Sequence, residues 1–183
     1  MSRIPPVEPP FHPNFAYAME RTMPPGMEPL VLFRTLATSW RAWDKFAAGS
    51  LLDAGPLKLR EREIVIERTT ARCNCSYEWG VHVGLFQEGA ELTDAQVRDT
   101  ASPQPDLALW SEAELVLIAT VDALIDRKRL YTSEFEQLSA HFTNEQILEI
   151  VQLVGFYHGV SLICGALDLQ PEPGMPTLPE AGQ

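Results

Sequence analysis

The chain has 183 residues, 45% of them hydrophobic and 21% charged, so one globular domain is expected and fibrous or wholly disordered classes are excluded. Asp and Glu outnumber Lys and Arg by 25 to 14, a net charge of −11, and a surface of that sign repels phosphate backbones and anionic lipids. No nucleic-acid or membrane partner is expected.

Residues 1–29 read as a Pro-rich arm, with Pro5, Pro6, Pro9, Pro10, Pro13, Pro24, Pro25 and Pro29 leaving room for only a short helix at Asn14–Thr22. The opening MSRIPPVEPPF has no apolar core of a secretory signal, and Cys73, Cys75 and Cys164 are an odd set for a disulfide framework, so a cytoplasmic, reducing setting is expected. Residues 30–169 read as a helical domain. Leu30–Ala48 repeats apolar residues with a period near 3.6 and predicts one helix. Leu51–Pro56, with Gly55, is a break. Arg60–Glu88 is mostly helical despite the β-branched Ile64, Val65, Ile66, Thr69 and Thr70, and Gly89 is expected to close it.

Four capping boxes follow, at Thr93/Gln96, Ser111/Glu114, Ser133/Glu136 and Thr143/Gln146. In each, a hydroxyl and a carboxylate or amide three residues on satisfy each other's free amides. The apolar run Ile147–Leu169 carries Glu149, Gln152, His158 and Asp168, which favours a buried core helix over a membrane span. Residues 170–183 hold Pro171, Pro173, Pro176 and Pro179 and predict an extended, loosely held tail. No strand pattern of useful length is present, so the fold class is all-α.

The chemistry concentrates in Arg60–His82, which reads REREIVIERTTARCNCSYEWGVH. Cys75, Glu78 and His82 follow at spacings of three and four, which makes them neighbours on one helical face. Glu63 lies 12 residues before Cys75, about 120° away on a straight helix, and joins the face only if the chain turns near Ala71–Asn74. A cysteine beside a histidine can hold a thiolate, and a carboxylate can orient the imidazole. The alternative is a solvated Glu–His pair and a small buried cysteine. Tyr77 and Trp79, which flank Glu78, are weaker pocket candidates, with Cys73 and His158. His158 reads first as a satisfied core histidine, with entry into the same pocket the alternative, and Cys164 as core. Trp40, Trp43 and Trp110 suit core or subunit contacts. Glu–x–x–x–His and Cys–x–Cys are only fragments of metal sites, so neither a metal nor an organic cofactor is expected.

Arg60–His82 resembles the core motif of the carboxymuconolactone decarboxylase family, which includes the alkylhydroperoxidase D-like proteins. The Arg–Glu–Ile–Val–Ile opening at 62–66 and the Cys–x–x–Glu–Trp–x–x–His finish carry the likeness. It extends from about Leu30 to Leu169, through Leu–Thr–Asp at 92–94 and Leu–Val–Gly–x–Tyr at 153–157. The resemblance implies an all-α fold assembling as a dimer, trimer or hexamer. It implies a site in which Glu63, Cys75 and His82 take the Glu, first-Cys and His positions of the peroxidase members. Glu78 stands where those members carry their second, peroxide-meeting cysteine, so a Cys–x–x–Cys cycle is not available. Cys73 is a possible substitute thiol, although residues two apart on a regular helix point away from each other.

Three functions follow from these readings. One is a thiol-dependent hydroperoxide reductase of the peroxiredoxin type, using Cys75 with Glu63, Glu78 and His82 and an external thiol reductant. The second is a decarboxylase or lyase on a small lactone or unsaturated acid, using Glu78 and His82. The third is a non-enzymatic oligomeric binding protein.

Overall fold

The computed structural model describes residues 2–179; Met1 and the last four residues of the predicted 170–183 tail lie outside the described residues. The described residues form nine helices and no strand: α1 (Pro13–Thr22), α2 (Val31–Leu36), α3 (Trp40–Ala47), α4 (Leu59–Arg72), α5 (Ser76–Phe86), α6 (Asp94–Thr100), α7 (Glu112–Arg127), α8 (Thr132–His141) and α9 (Asn144–Leu167).

Helix α4 is the centre of the bundle, packed on α5, α6, α7 and α9. Every residue from Glu63 to Thr70 is buried. Its β-branched residues cost at most about 0.7 kcal/mol each in helix propensity. Burying a Val or Ile side chain returns roughly 1.5–3 kcal/mol. Ile64, Val65 and Ile66 have no exposed surface, so packing decides the conformation there.

Two predicted long helices are each split. Leu30–Ala48 breaks at Ala37–Ser39, where Thr38 donates its hydroxyl to the Thr35 carbonyl at 2.8 Å. Ser39 takes an extended conformation and caps α3 through the Ala42 amide. The second break matters more for chemistry. Asn74 adopts a left-handed conformation (φ 54°), which Asn tolerates better than most residues. The amides of Asn74 and Cys75 then bond the carbonyls of Ala71 and Thr70, both at 2.9 Å. This Schellman closure ends α4, reverses the chain and delivers Cys75 as the residue that opens α5.

The boxes at Thr93, Ser111 and Thr143 form as the sequence predicts. The fourth does not. Helix α8 starts earlier, with the Glu134 carboxylate accepting the Tyr131 amide at 2.7 Å, in place of Ser133 and Glu136. Gly89 is not the left-handed closing residue either; Glu91 is, at φ 54°. Gly89 instead leaves room for Leu59, whose Cδ2 would lie 3.2 Å from an added Cβ.

Both ends of the chain are held more firmly than their proline content suggests. Phe15 and Met19 of α1 sit in the core. The C-terminal segment is extended, but it is strapped across α5 and not loose. The Ser76 hydroxyl accepts the Leu178 amide at 3.0 Å. A Cβ on Gly80 would meet the Pro176 carbonyl oxygen at 2.0 Å, and one on Gly84 the Met175 sulfur at 2.3 Å. These two glycines let the strap lie flat on the helix. Helix α9 is long and apolar enough to cross a membrane by composition, with 39% of its most apolar stretch buried in this chain. One face packs into the core through Ile150, Leu153, Tyr157 and Val160, while Leu148, Val151 and Leu162 are exposed.

Candidate active site

The turn at Asn74 brings Glu63 of α4 against α5. The Glu63 carboxylate lies 2.7 Å from His82 Nδ1, and both side chains are buried. Arg62 Nε holds the other Glu63 oxygen at 3.0 Å, and its guanidinium also reaches the Leu52 carbonyl at 3.1 Å. On the far side of the ring, His82 Nε2 is 3.6 Å from Glu78 Oε1, an ion-pair distance too long for a direct hydrogen bond. The ring itself is clamped by Phe86 and by the edge of Tyr157, whose centroid is 4.9 Å away.

Burial disfavours the imidazolium, but the charges of Glu63 and then Glu78 outweigh it, and the His82 pKa is raised to about 9. At neutral pH the ring therefore carries both protons. Nδ1 donates to Glu63, and Nε2 presents a proton towards Glu78.

Cys75 is buried at the start of α5. Its thiol pKa is lowered, chiefly by the Cys164 side chain, against the opposing effect of burial, with help from the Glu78 backbone N–H and the Ser161 side chain. A thiolate at a helix N-terminus is favoured by the free amides and the helix dipole. Cys75 opens α5 and His82 lies seven residues on along the same helix, with Glu78 at the position between them in sequence.

Glu78 also has a buried oxygen, Oε2, with no hydrogen-bond partner. One turn below Glu63, Glu67 is fully buried with both oxygens unpartnered. Burial and the nearby Glu63 raise its pKa to about 8, so it is protonated at neutral pH.

A cavity of about 110 Å³ lies beside this group, with Glu78, His82 and Tyr157 on one wall and the aromatic side chains of Phe33, Trp43 and Phe46 opposite. Cys75 does not line it. Of the weaker candidates, none does. Tyr77 points away, donating its hydroxyl to Glu172 and accepting the Leu32 amide at 2.9 Å. Trp79 donates to the Thr100 hydroxyl at 3.0 Å in the interior. His158 is half-buried and off the cavity; its neighbour Tyr157 is the residue that α9 turns inward. Cys73 caps α4 and is half-buried, with burial raising its thiol pKa. Cys164, read as core, is buried, and it is the largest influence lowering the Cys75 thiol pKa. The only sequence cue to it was a cysteine in the last turns of an apolar helix. Among the described residues no cluster of three or more metal-type ligands is formed.

No protein-family model and no curated protein matches this chain. Solved structures do. The alkylhydroperoxidase AhpD core of an uncharacterized peroxidase-related protein from Ralstonia eutropha JMP134 superposes with a TM-score of 0.81 at 19% identity, covering 94% of this chain and 93% of that one. The chain has the AhpD-like helical fold. A peroxidase-related protein from Silicibacter sp. TM1040 matches with a TM-score of 0.76 at 17% identity, over 94% of this chain and 92% of that one. The debrominase Bmp8 matches with a TM-score of 0.73 at 16% identity, over 93% and 92%. The AhpD-like fold is the one implied by the Arg60–His82 motif, and these identities speak to fold and not to reaction.

Proposed function

We propose that the protein is a thiol-dependent hydroperoxide reductase of the peroxiredoxin type, within the carboxymuconolactone decarboxylase family. The observation that carries this is Cys75, buried at the opening of α5 with its thiol pKa lowered. The thiolate attacks the terminal oxygen of the hydroperoxide. The S–O bond forms and the O–O bond breaks. The leaving alkoxide takes a proton from the imidazolium of His82 by way of Glu78. The products are an alcohol and a Cys75 sulfenic acid. An external thiol then displaces water from that sulfur, and a second thiol releases the reduced enzyme. Glu78 is the link between cavity and thiol, because it lines the cavity and sits in the first turn of the helix that Cys75 opens.

One observation favours a second reading. The cavity meets Glu78 and His82 but not Cys75. A proton-transfer lyase acting on a small lactone or unsaturated acid needs only those two. Activity of Cys75→Ser, His82→Ala and Glu78→Gln on organic hydroperoxides, a carboxylactone series and 2,3,4-tribromopyrrole, the molecule bound in a debrominase Bmp8 structure, separates the readings. Hydroperoxide turnover is expected and is abolished in Cys75→Ser, because an alcohol is not oxidised by peroxide. Full activity in Cys75→Ser, with loss in His82→Ala, would replace the reductase by the lyase. No turnover of any of these substrates by the native chain would leave a non-enzymatic binding protein.

The exposed Leu148, Val151 and Leu162 of α9 are best covered by a second copy of the chain, and we place the working form as a homo-oligomer in the cytoplasm. Sedimentation at micromolar concentration should show a species heavier than the 20.4 kDa chain.

A further inference from the structure

The cavity beside His82 is walled largely by aromatic rings. The ring centroids of Phe33 and Phe46 lie 6.0 Å apart, those of Phe46 and Phe156 5.2 Å, those of Phe156 and Tyr157 5.3 Å, and those of Tyr157 and His82 4.9 Å. All five residues line the cavity, so a chain of tilted and edge-on rings runs from α2 through α3 and α9 to α5. The volume, about 110 Å³, is somewhat below the roughly 150 Å³ of an engineered cavity that takes up benzene. A single small ring is the scale of occupant it admits.

Three polar groups in this wall lack partners. Tyr157 is only 1% exposed, yet its hydroxyl makes no hydrogen bond among the described residues. Glu78 Oε2 is buried without a partner. His82 Nε2 has Glu78 Oε1 only at 3.6 Å. Buried polar groups are hydrogen-bonded as a rule, so a free hydroxyl, a free acceptor and a free ring nitrogen on one cavity wall mark where a ligand's polar atom belongs. The charges at this end cancel. Arg62 stands against Glu63 at 3.0 Å, and the His82 imidazolium lies between Glu63 and Glu78. The wall therefore offers hydrogen bonds but no net charge to hold an ion.

We propose that this cavity is a binding site for a neutral, single-ring aromatic molecule carrying one hydroxyl, with the ring among Phe33, Phe46 and Phe156 and the oxygen between Tyr157, His82 and Glu78. A phenol or an aryl carbinol has that chemistry. The ligand oxygen accepts from His82 Nε2, its O–H donates to Glu78, and the Tyr157 hydroxyl takes either role. Aromatic walls favour a ring over an alkyl chain of equal carbon number, because ring edges can point at ring faces. The binding site stands on the cavity alone. That the occupant arrives as an aryl hydroperoxide rests on the reductase reading above, in which the aryl alcohol is the product.

Calorimetric titration of the native chain at neutral pH tests the site with five probes: phenol, toluene, 1-hexanol, benzoate and benzylammonium. Phenol is expected to bind saturably. It should bind more tightly than 1-hexanol, the open-chain alcohol of equal carbon number, and more tightly than either ion. In Tyr157→Phe, checked for native helicity by circular dichroism, phenol should weaken on the order of three- to tenfold, the loss of one hydrogen bond, while toluene is unchanged. No saturable phenol binding, a preference for 1-hexanol or for either ion, or an equal shift of phenol and toluene in Tyr157→Phe would overturn the site. Turnover of benzyl hydroperoxide separates the site from the reductase reading. Competitive inhibition of that turnover by phenol supports both. Saturable phenol binding with no turnover of any hydroperoxide keeps the site and removes the reductase. Turnover that saturating phenol does not inhibit leaves the reductase standing and overturns the site.

Discussion

Helix α4 carries two buried charged clusters little more than one turn apart, and they are finished differently. Around Arg68, Nε and a terminal nitrogen grip both oxygens of Asp122 at 2.8 and 2.7 Å, and the other terminal nitrogen reaches the carbonyls of Thr100 and Ser102 at 2.9 and 2.6 Å. No nitrogen of Arg68 is left without a partner. Around Glu63, three carboxyls and an imidazole are gathered, Glu78 and His82 line a cavity, and one oxygen of Glu78 has no partner. A buried charge with every bond made holds structure together. A cluster that leaves polar atoms unpaired beside an empty space has bonding capacity reserved for something else. Both clusters read alike as charged residues in a helix; only the count of satisfied atoms separates scaffold from site.

That contrast can be broken in four ways. The largest effect is expected in the scaffold. Arg68→Met removes the buried guanidinium and leaves the partly exposed Asp122 with only Arg72 at 3.4 Å, at a cost of about 3 kcal/mol, the low end for a buried pair. Chemical denaturation should show that loss, and kcat per folded molecule should be unchanged. In the site, Glu63→Gln should act on catalysis as well as on stability. Stability falls with the His82 proton that Glu63 holds, and kcat per folded molecule also falls, on the order of 10²-fold, through the loss of imidazolium stabilisation. The diagnostic readout is the pH profile. With Glu63 gone, the His82 pKa should drop from about 9 towards 6.5, moving the alkaline limb of the activity profile down with it.

The third test uses the sign of the two raised pKa values. His82 binds its proton more tightly folded than unfolded, so its contribution to stability is complete below pH 6.5 and is lost as pH rises through about 9. Glu67 is also protonated on folding, and stability falls as pH rises from 4.5 to about 8, after which the cost of the buried carboxylate is constant. The native chain should therefore lose stability across both windows. Glu67→Gln should flatten the lower one and be more stable than the native chain at pH 8.5, by roughly 1–2 kcal/mol. Urea midpoints measured from pH 4.5 to 9 decide this; equal slopes in both chains would mean Glu67 is already ionised. The smallest effect is at a helix start. Thr143→Ala removes the hydroxyl that accepts the Gln146 amide at 3.3 Å, and about 1 kcal/mol should be lost with activity intact.

Much of this protein is written locally. The three boxes that formed as read, at Thr93, Ser111 and Thr143, depend on a hydroxyl and a carboxylate or amide within one turn, and such contacts do not need the rest of the molecule. The all-α class follows from the same short-range periodicity. Local reading failed where a competing neighbour won. Glu134 reached the Tyr131 amide first, so α8 began ahead of Ser133. The strapped C-terminal segment was hidden because its anchors, Gly80 and Gly84, are distant in sequence and carry no side chain to announce a contact.

The site divides along the same line. The residue types were set by the sequence: Glu63, Cys75, Glu78 and His82 stand out as reactive groups in an apolar stretch. Their order in space was set by a single backbone event, the left-handed Asn74, which bends two helices together and places Glu63 at 2.7 Å from His82. What no spacing rule could reach was α9. Tyr157 against the imidazole comes from a helix 62 or more positions beyond His82, brought in by apolar packing along its buried face. Periodicity tells which face of a helix is buried, and burial on its own does not say against whom. The partner of a buried side chain is fixed by how whole helices pack, and in this molecule that packing sets Tyr157 against the buried imidazole of His82.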